Sequence, residues 1–224
     1  MSTFKTAVVL AGLACCSQGA WGEIANIEDQ LLVATSDGLR GNLTGGISGS
    51  DGNTDSLILS VSGKLGYKKG VNDFFLYAQE VYQEIESTAI ADKTLVHGRY
   101  TRSVNNKLAG ELYSQWERDD IILLKSRFIH GAGLRYNWLT EENKWISHFG
   151  LGAYYFDEDH EEPVVTGTTI EFEEVDDDGV RFNAYATLTW KVNDQVTLHD
   201  TLYYQPLVDD FDDYRLLNTF NLAV

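Results

Sequence analysis

The stretch SLILSVSGKLGYK, residues 56–68, decides the fold. Leu57, Leu59, Val61, Gly63, Leu65 and Tyr67 occupy alternate positions. Ser56, Ser60, Ser62, Lys64, Gly66 and Lys68 lie between them, and Ile58 is the exception. Strand side chains alternate between two faces, so this reads as a strand with one apolar and one polar face. Its 13 residues exceed the ~5–6 usual in globular sheets, so the strand spans something and its faces meet different surroundings.

The pattern recurs along the chain. Leu39, Gly41, Leu43, Gly45 and Ile47 alternate before it; Val96, Gly98 and Tyr100, then Leu108, Gly110, Leu112 and Trp116 after it. Further on come Phe128 to Trp138, Trp145 to Tyr155, Val180 to Trp190, Val196 to Tyr204 and Tyr214 to Leu222. Residues 73–85 are apolar and aromatic without a clear phase. With DGNTD, KKGVND, SVNN, TEEN and VND as turns, the chain reads as ten strands joined as neighbours. Connections after the even strands look short, those after the odd strands longer and more acidic, with residues 157–178 as one long acidic loop. Short turns at one end, long loops at the other and an even strand number define an antiparallel up-and-down transmembrane β-barrel.

Aromatic placement points the same way. Tyr67, Tyr100, Trp138, Trp145 and Trp190 fall at the short-turn end; Trp116, Phe128, Tyr155, Phe182, Tyr204 and Tyr214 fall at the other. Two belts flanking an apolar band suit two membrane interfaces. Leu57 to Tyr67 then face lipid, and the serines and lysines between them face the interior. Asp200 and Asn218 break the pattern, falling on the lipid face. A soluble periplasmic lipocalin-like barrel is an alternative that turns the apolar face inward.

The amino terminus sets the compartment. Lys5 precedes an apolar run over residues 7–16, and Ala20-Trp21-Gly22 offers a cleavage site, so residues 1–22 read as a secretory signal peptide. Residues 23–37 read as an N-terminal periplasmic segment and 38–224 as the barrel. Both cysteines, Cys15 and Cys16, lie in the signal, so the exported chain is expected to lack disulfides. The expected location is the outer membrane of a Gram-negative bacterium, with membrane lipid and the barrel-assembly machinery as partners. A net charge of -17 argues against nucleic acid.

Charged residues of both signs occupy the inward phase: Arg99, Glu111, Glu117, Lys125, Arg127, Arg135, Arg181 and Lys191. They line a narrow pore or form a salt-bridged plug. Glu111 and Glu117 are placed to pair with Arg127 and Arg135 on the next strand. The acidic segment, with Asp157, Asp159, Glu173, Asp176 and Asp178, offers carboxylates to divalent cations, and its plain reading is solvated surface charge. No phosphate loop, zinc spacing, nucleotide fingerprint or nucleophile–base constellation is visible, so neither cofactor nor enzymatic activity is expected.

SGSDGNTDSLILSVSGKLGYKKG, KSRFIHGAGLRYNW and DYRLLNTFNLAV together resemble the YdiY-like salt-induced outer membrane protein family, over nearly all of residues 38–224. The resemblance rests most on GNTD (52–55) and GAGLRY (131–136). It implies an outer-membrane barrel tied to salt or osmotic stress and brings no catalytic residue. It also implies one more hairpin with an aromatic end, so the expected strand number is ten for the chain ending at Val224 and twelve if that chain is truncated.

Overall fold

A computed structural model describes residues 27–30, 36–51, 55–139, 145–166, 169–193 and 195–223. The segment expected to be a signal peptide, with its two cysteines, most of the GNTD turn and the TEEN turn lie outside the described residues. The strands are β1 (Gly38–Ser50), β2 (Ser56–Lys69), β3 (Asn72–Ile85), β4 (Thr88–Ser103), β5 (Leu108–Asp119), β6 (Leu124–Leu139), β7 (Trp145–Thr166), β8 (Thr169–Lys191), β9 (Thr197–Pro206) and β10 (Tyr214–Ala223). They form one antiparallel ten-stranded sheet in simple sequential order. Single 3-10 turns lie at Glu28–Gln30 and Asp120–Ile122. Among the described residues no helix is long and apolar enough to cross a membrane.

Turn chemistry fixes the hairpins. Glu86 and Ser87 alone join β3 to β4, with φ of 48° and 61°. Two successive positive φ angles give the turn whose twist matches paired strands. Asn105 Oδ1 accepts from the Lys107 and Leu108 amides at 2.8 and 2.9 Å, and Asn193 Oδ1 from Gln195 and Val196 at the same distances. These side-chain turns are why SVNN and VND reverse the chain.

Two expectations about connections are corrected. The odd connections are not consistently longer, since β3–β4 needs only two residues. The acidic run 157–178 is not a loop: β7 and β8 continue through it as a paired ribbon, from Asp157↔Asp178 to Thr166↔Thr169. The asymmetry between the ends lies in strand length, 22 and 23 residues for β7 and β8. Val164, Val165, Thr169 and Ile170 favour extended backbone, and the ladder satisfies amides that a loop would leave to water.

The sheet curls so that one face is concave. Tyr185 on β8 donates to Glu111 Oε2 on β5 at 2.8 Å. In a flat sheet those strands would stand about 14 Å apart. The convex face is apolar and exposed, with Leu39, Leu43, Leu134, Leu151 and Leu216 each more than half accessible. The concave face buries Arg127, Glu117, His97 and Thr201 at 2% accessibility or less. A soluble lipocalin-like barrel needs the opposite arrangement, because exposed apolar surface costs free energy in water. Asp200 and Asn218 do lie on the convex side, where Asn218 Nδ2 donates to Asp200 Oδ1 at 2.9 Å and to the Thr201 carbonyl at 3.3 Å. Two groups that would each be costly in an apolar layer there satisfy one another.

Candidate functional site

The concave face of β4–β8 holds an ionic interior, and strand phase places each member. Near the short-turn end, Arg99 from β4 and Arg135 from β6 converge on Glu28. Arg99 Nη1 lies 2.5 Å and Arg135 Nη2 2.8 Å from its carboxylate. Arg135 Nε lies 2.8 Å from Glu111 Oε1. Glu28 stands in the segment expected to be periplasmic; its described residues instead enter the curl, where Ile27 is buried against Phe75, Tyr77 and Leu95. Burial pushes the Glu28 carboxyl up, but Arg135 and then Arg99 outweigh this and hold it at about 2.

At the other end Arg127 Nε donates to Glu158 Oε2 at 2.7 Å, and its Nη1 lies 3.7 Å from Glu117. Lys93 bridges Glu117 and Asp119 at 3.1 and 2.8 Å, and Arg215 reaches Glu158 at 3.3 Å. Arg181 pairs with Asp213 at 2.9 Å. The Arg181 and Arg215 guanidiniums each stand 5.3 Å from the Phe156 ring centre, a cation–π arrangement.

Tyrosines fill the middle by lying over glycines. A Cβ on Gly131 would stand 2.2 Å from the Tyr113 ring, and one on Gly150 1.8 Å from the Tyr185 ring. Asn183 Nδ2 donates to the Tyr113 hydroxyl at 3.1 Å. The missing side chains on β6 and β7 are the space that the rings from β5 and β8 occupy.

The charges balance: Arg99 and Arg135 meet Glu28 and Glu111; Lys93, Arg127 and Arg215 meet Glu117, Asp119 and Glu158; Arg181 meets Asp213. Such an interior calls for no counter-ion.

Of the residues expected inward, Arg99, Glu111, Glu117, Arg127, Arg135 and Arg181 share this cluster. Lys125 does not. A register shift between Leu124 and Ser126 turns it outward, where it bonds Glu161 and Glu174 at 3.1 and 2.9 Å. Lys191 sits exposed at the end of β8, outside the cluster. The sequence reading missed Glu28, Lys93, Asp119, Glu158 and Arg215. Glu158 was within reach, since carrying the β7 alternation past Gly150 and Gly152 leads inward through Tyr154 and Phe156 to it.

The acidic residues do not converge. Asp157, Asp159, Asp176 and Asp178 share the outward side of the ribbon, and Glu173 lies on the other. Among the described residues no three carboxylate, histidine or cysteine side chains gather as metal ligands. The aromatic residues form contacts in two zones of the convex face. Phe74–Tyr100, Trp138–Phe149 and the stacked Trp145–Trp190 pair, at 4.8, 5.4 and 4.7 Å, lie toward the short-turn end, with Tyr67 beside Phe74. Trp116–Phe128 and Tyr204–Tyr214, at 6.5 and 5.7 Å, lie toward the other end, as does Tyr155 opposite Val180.

An inside-out antiparallel sheet with an ion-paired concave face is the class that fold and site define. The sequence matches the family described as "Protein of unknown function, DUF481" over residues 43–224, and the chain belongs to that family. Comparison with curated proteins returns no match. Among solved structures the chain is similar to a copper transporter, OprC, at 12% identity with a TM-score of 0.39. The similarity covers 82% of this chain and 37% of that one, so the chain spans well under half of the transporter's length.

Proposed function

We propose that the protein is an outer-membrane β-barrel of the Gram-negative envelope, of structural or small-pore type, without enzymatic activity or a cofactor. The observation that carries the reading is the inverted burial: apolar side chains cover the convex face while arginines and glutamates fill the concave one. Only an apolar solvent makes that arrangement favourable, and aromatic residues toward both ends of the convex face fit the two interfaces of a bilayer. Lipid and the barrel-assembly machinery are its partners. A role in salt or osmotic stress, and the YdiY-like name, rest on the resemblance of the GNTD and GAGLRY segments alone. A second reading, a cation- or partner-binding surface module, is favoured by residues 171–178 of β8, which pair only with β7 and carry six carboxylates in eight positions.

Refolding the chain into detergent and lipid, then comparing unheated and boiled samples by gel, tests the proposal. A folded membrane barrel migrates apart from its boiled form. A monodisperse, folded chain without detergent would overturn the reading.

A further inference from the structure

The convex face is not uniform: β2 to β5 carry a groove. Leu65, Leu76, Gly98 and Ser114 stand side by side across these four strands. Tyr67, Phe74, Tyr100 and Leu112 form the next rung toward the short-turn end. The two rungs line a cavity of about 530 Å³, within the ~300–1,000 Å³ of ligand sites. Its walls are apolar, since the Ser114 hydroxyl is already engaged with His130 Nδ1 at 3.0 Å. Two glycines keep it open. A Cβ on Gly98, in its floor, or on Gly110, beside its upper end, would meet nothing within 4 Å. The Tyr100 ring leans away from both toward β3. Its centre lies 4.8 Å from that of Phe74, and its hydroxyl donates to Asn72 Oδ1 at 2.6 Å. The rung beyond the groove is Lys69, Asn72, Arg102 and Gly110. Lys69 and Arg102 are exposed, and among the described residues neither has an ion pair. They are the only cations in the convex phase at that end of the described strands; β6, β7 and β8 place Trp138, Trp145 and Trp190 there instead.

We propose that this groove seats an acyl chain of a phospholipid with an anionic headgroup, its phosphate held between Lys69 and Arg102 in the leaflet at the short-turn end. The inference rests on the outer-membrane reading and deepens it. The strands bearing the two cations stand about 9–10 Å apart, with β3 between them. Two long side chains span that gap around one phosphate, and a guanidinium can bond it twice. Cations one rung beyond an apolar band lie at the depth of lipid phosphates, where clustered basic groups attract anionic headgroups. The whole chain carries a net charge of -17 and repels anionic lipid, so a preference for it must come from a local site. The apolar walls below the cations fit a flexible hydrocarbon tail. A second copy of this chain would have to bring a carboxylate to Lys69 and Arg102, and in the described strands none lies in the convex phase at that end. Asp37, just before β1, is taken by the Gly70 amide, each of its oxygens accepting at 3.0 Å.

The test uses the full chain refolded in a neutral detergent. Phosphatidylglycerol and phosphatidylcholine are the probes, and native mass spectrometry counts the lipid retained. Only samples that keep the heat-dependent gel shift are compared. One phosphatidylglycerol is expected to bind roughly tenfold or more tightly than phosphatidylcholine, the effect of two cations near an anionic headgroup. Lys69→Gln with Arg102→Gln should abolish that preference. Arg118→Gln should leave it unchanged, because this convex cation lies at the other end and already pairs with Asp92. Gly98→Leu fills the groove and should weaken both lipids. Glycerol phosphate, which has the phosphate and no tail, should not displace phosphatidylglycerol. Equal retention of the two lipids, a preference that survives the double substitution or is lost in Arg118→Gln, or displacement by glycerol phosphate would each overturn the inference while the gel shift stands. So would undiminished binding in Gly98→Leu. Loss of the gel shift in the unsubstituted chain would instead sink the outer-membrane reading, and this inference with it.

Discussion

At the scale of the residue, the interior charges stand or fall as sets. Arg127 is 1% accessible between Glu158 and Glu117. Replacing it with Met leaves Glu117 to Lys93 and Glu158 to Arg215 and should cost about 3 kcal/mol, the low end of the penalty for breaking a buried pair from one side, because each carboxylate keeps one cation. Urea unfolding in micelles reads this, and an unchanged midpoint would mean water reaches the site. Gly150→Ala sets a methyl against the Tyr185 ring and should cost about 1–3 kcal/mol, with the Tyr185–Glu111 hydrogen bond lost to solvent exchange. Glu28 gives the acid limb. Its carboxyl is held at about 2 against an ordinary 4.5. A depressed carboxyl stabilises fully above the ordinary value, and that contribution, about 3 kcal/mol, is lost as pH falls from about 4.5 through about 2. The expected result is an unfolding midpoint that drops across this window in the native chain and stays nearly flat there in Glu28→Gln. None of this was visible in the segment around Glu28, which carries no periodicity; its role exists only once the sheet curls around it.

At the scale of the element, the β7–β8 ribbon carries its own opposition. Asp157 faces Asp178, Asp159 faces Asp176 and Glu162 faces Glu173, and like charges directly opposite weaken a strand pair. Lys125 relieves one such pair, Glu161 and Glu174. Asp159→Asn with Asp176→Asn should therefore slow proteolysis at the ribbon tip in low salt, by a factor corresponding to roughly 0.2–1 kcal/mol. At about 1 M salt the Debye length falls to ~3 Å and the difference should vanish. A difference that survives high salt would mean the carboxylates act through something other than repulsion. Strand number, order and phase were legible because alternation is written into nearly every segment, from Leu57–Tyr67 to Tyr214–Leu222. The ribbon was not, because acidic residues at successive positions hide the period that the backbone keeps. The outward turn of Lys125 was not either, since a bulge changes phase without marking the sequence.

At the scale of the whole molecule, the apolar face has a measurable height. Phe182 and Trp190 lie eight positions apart on β8, as do Phe128 and Tyr136 on β6. Eight residues of strand rise about 26 Å, and a tilt near 40° reduces this to about 20 Å along the membrane normal. That is thinner than the ~30 Å hydrocarbon core of an ordinary bilayer. Mismatch costs fractions of a kcal/mol per Å, so a bilayer thicker than the band opposes insertion by several kcal/mol in total. The Asp200–Asn218 and Ser114–His130 pairs on the convex face add to the cost of deep immersion, and they bear less of it where the core is thin. Refolding yield, read as the heat-dependent gel shift, should therefore be highest in lipids with acyl chains of about ten to twelve carbons and fall steeply toward eighteen. Asp200→Leu with Asn218→Leu should narrow that difference by removing the polar pair from the band. Equal yields at every chain length would mean that the apolar face is matched by something other than a bilayer.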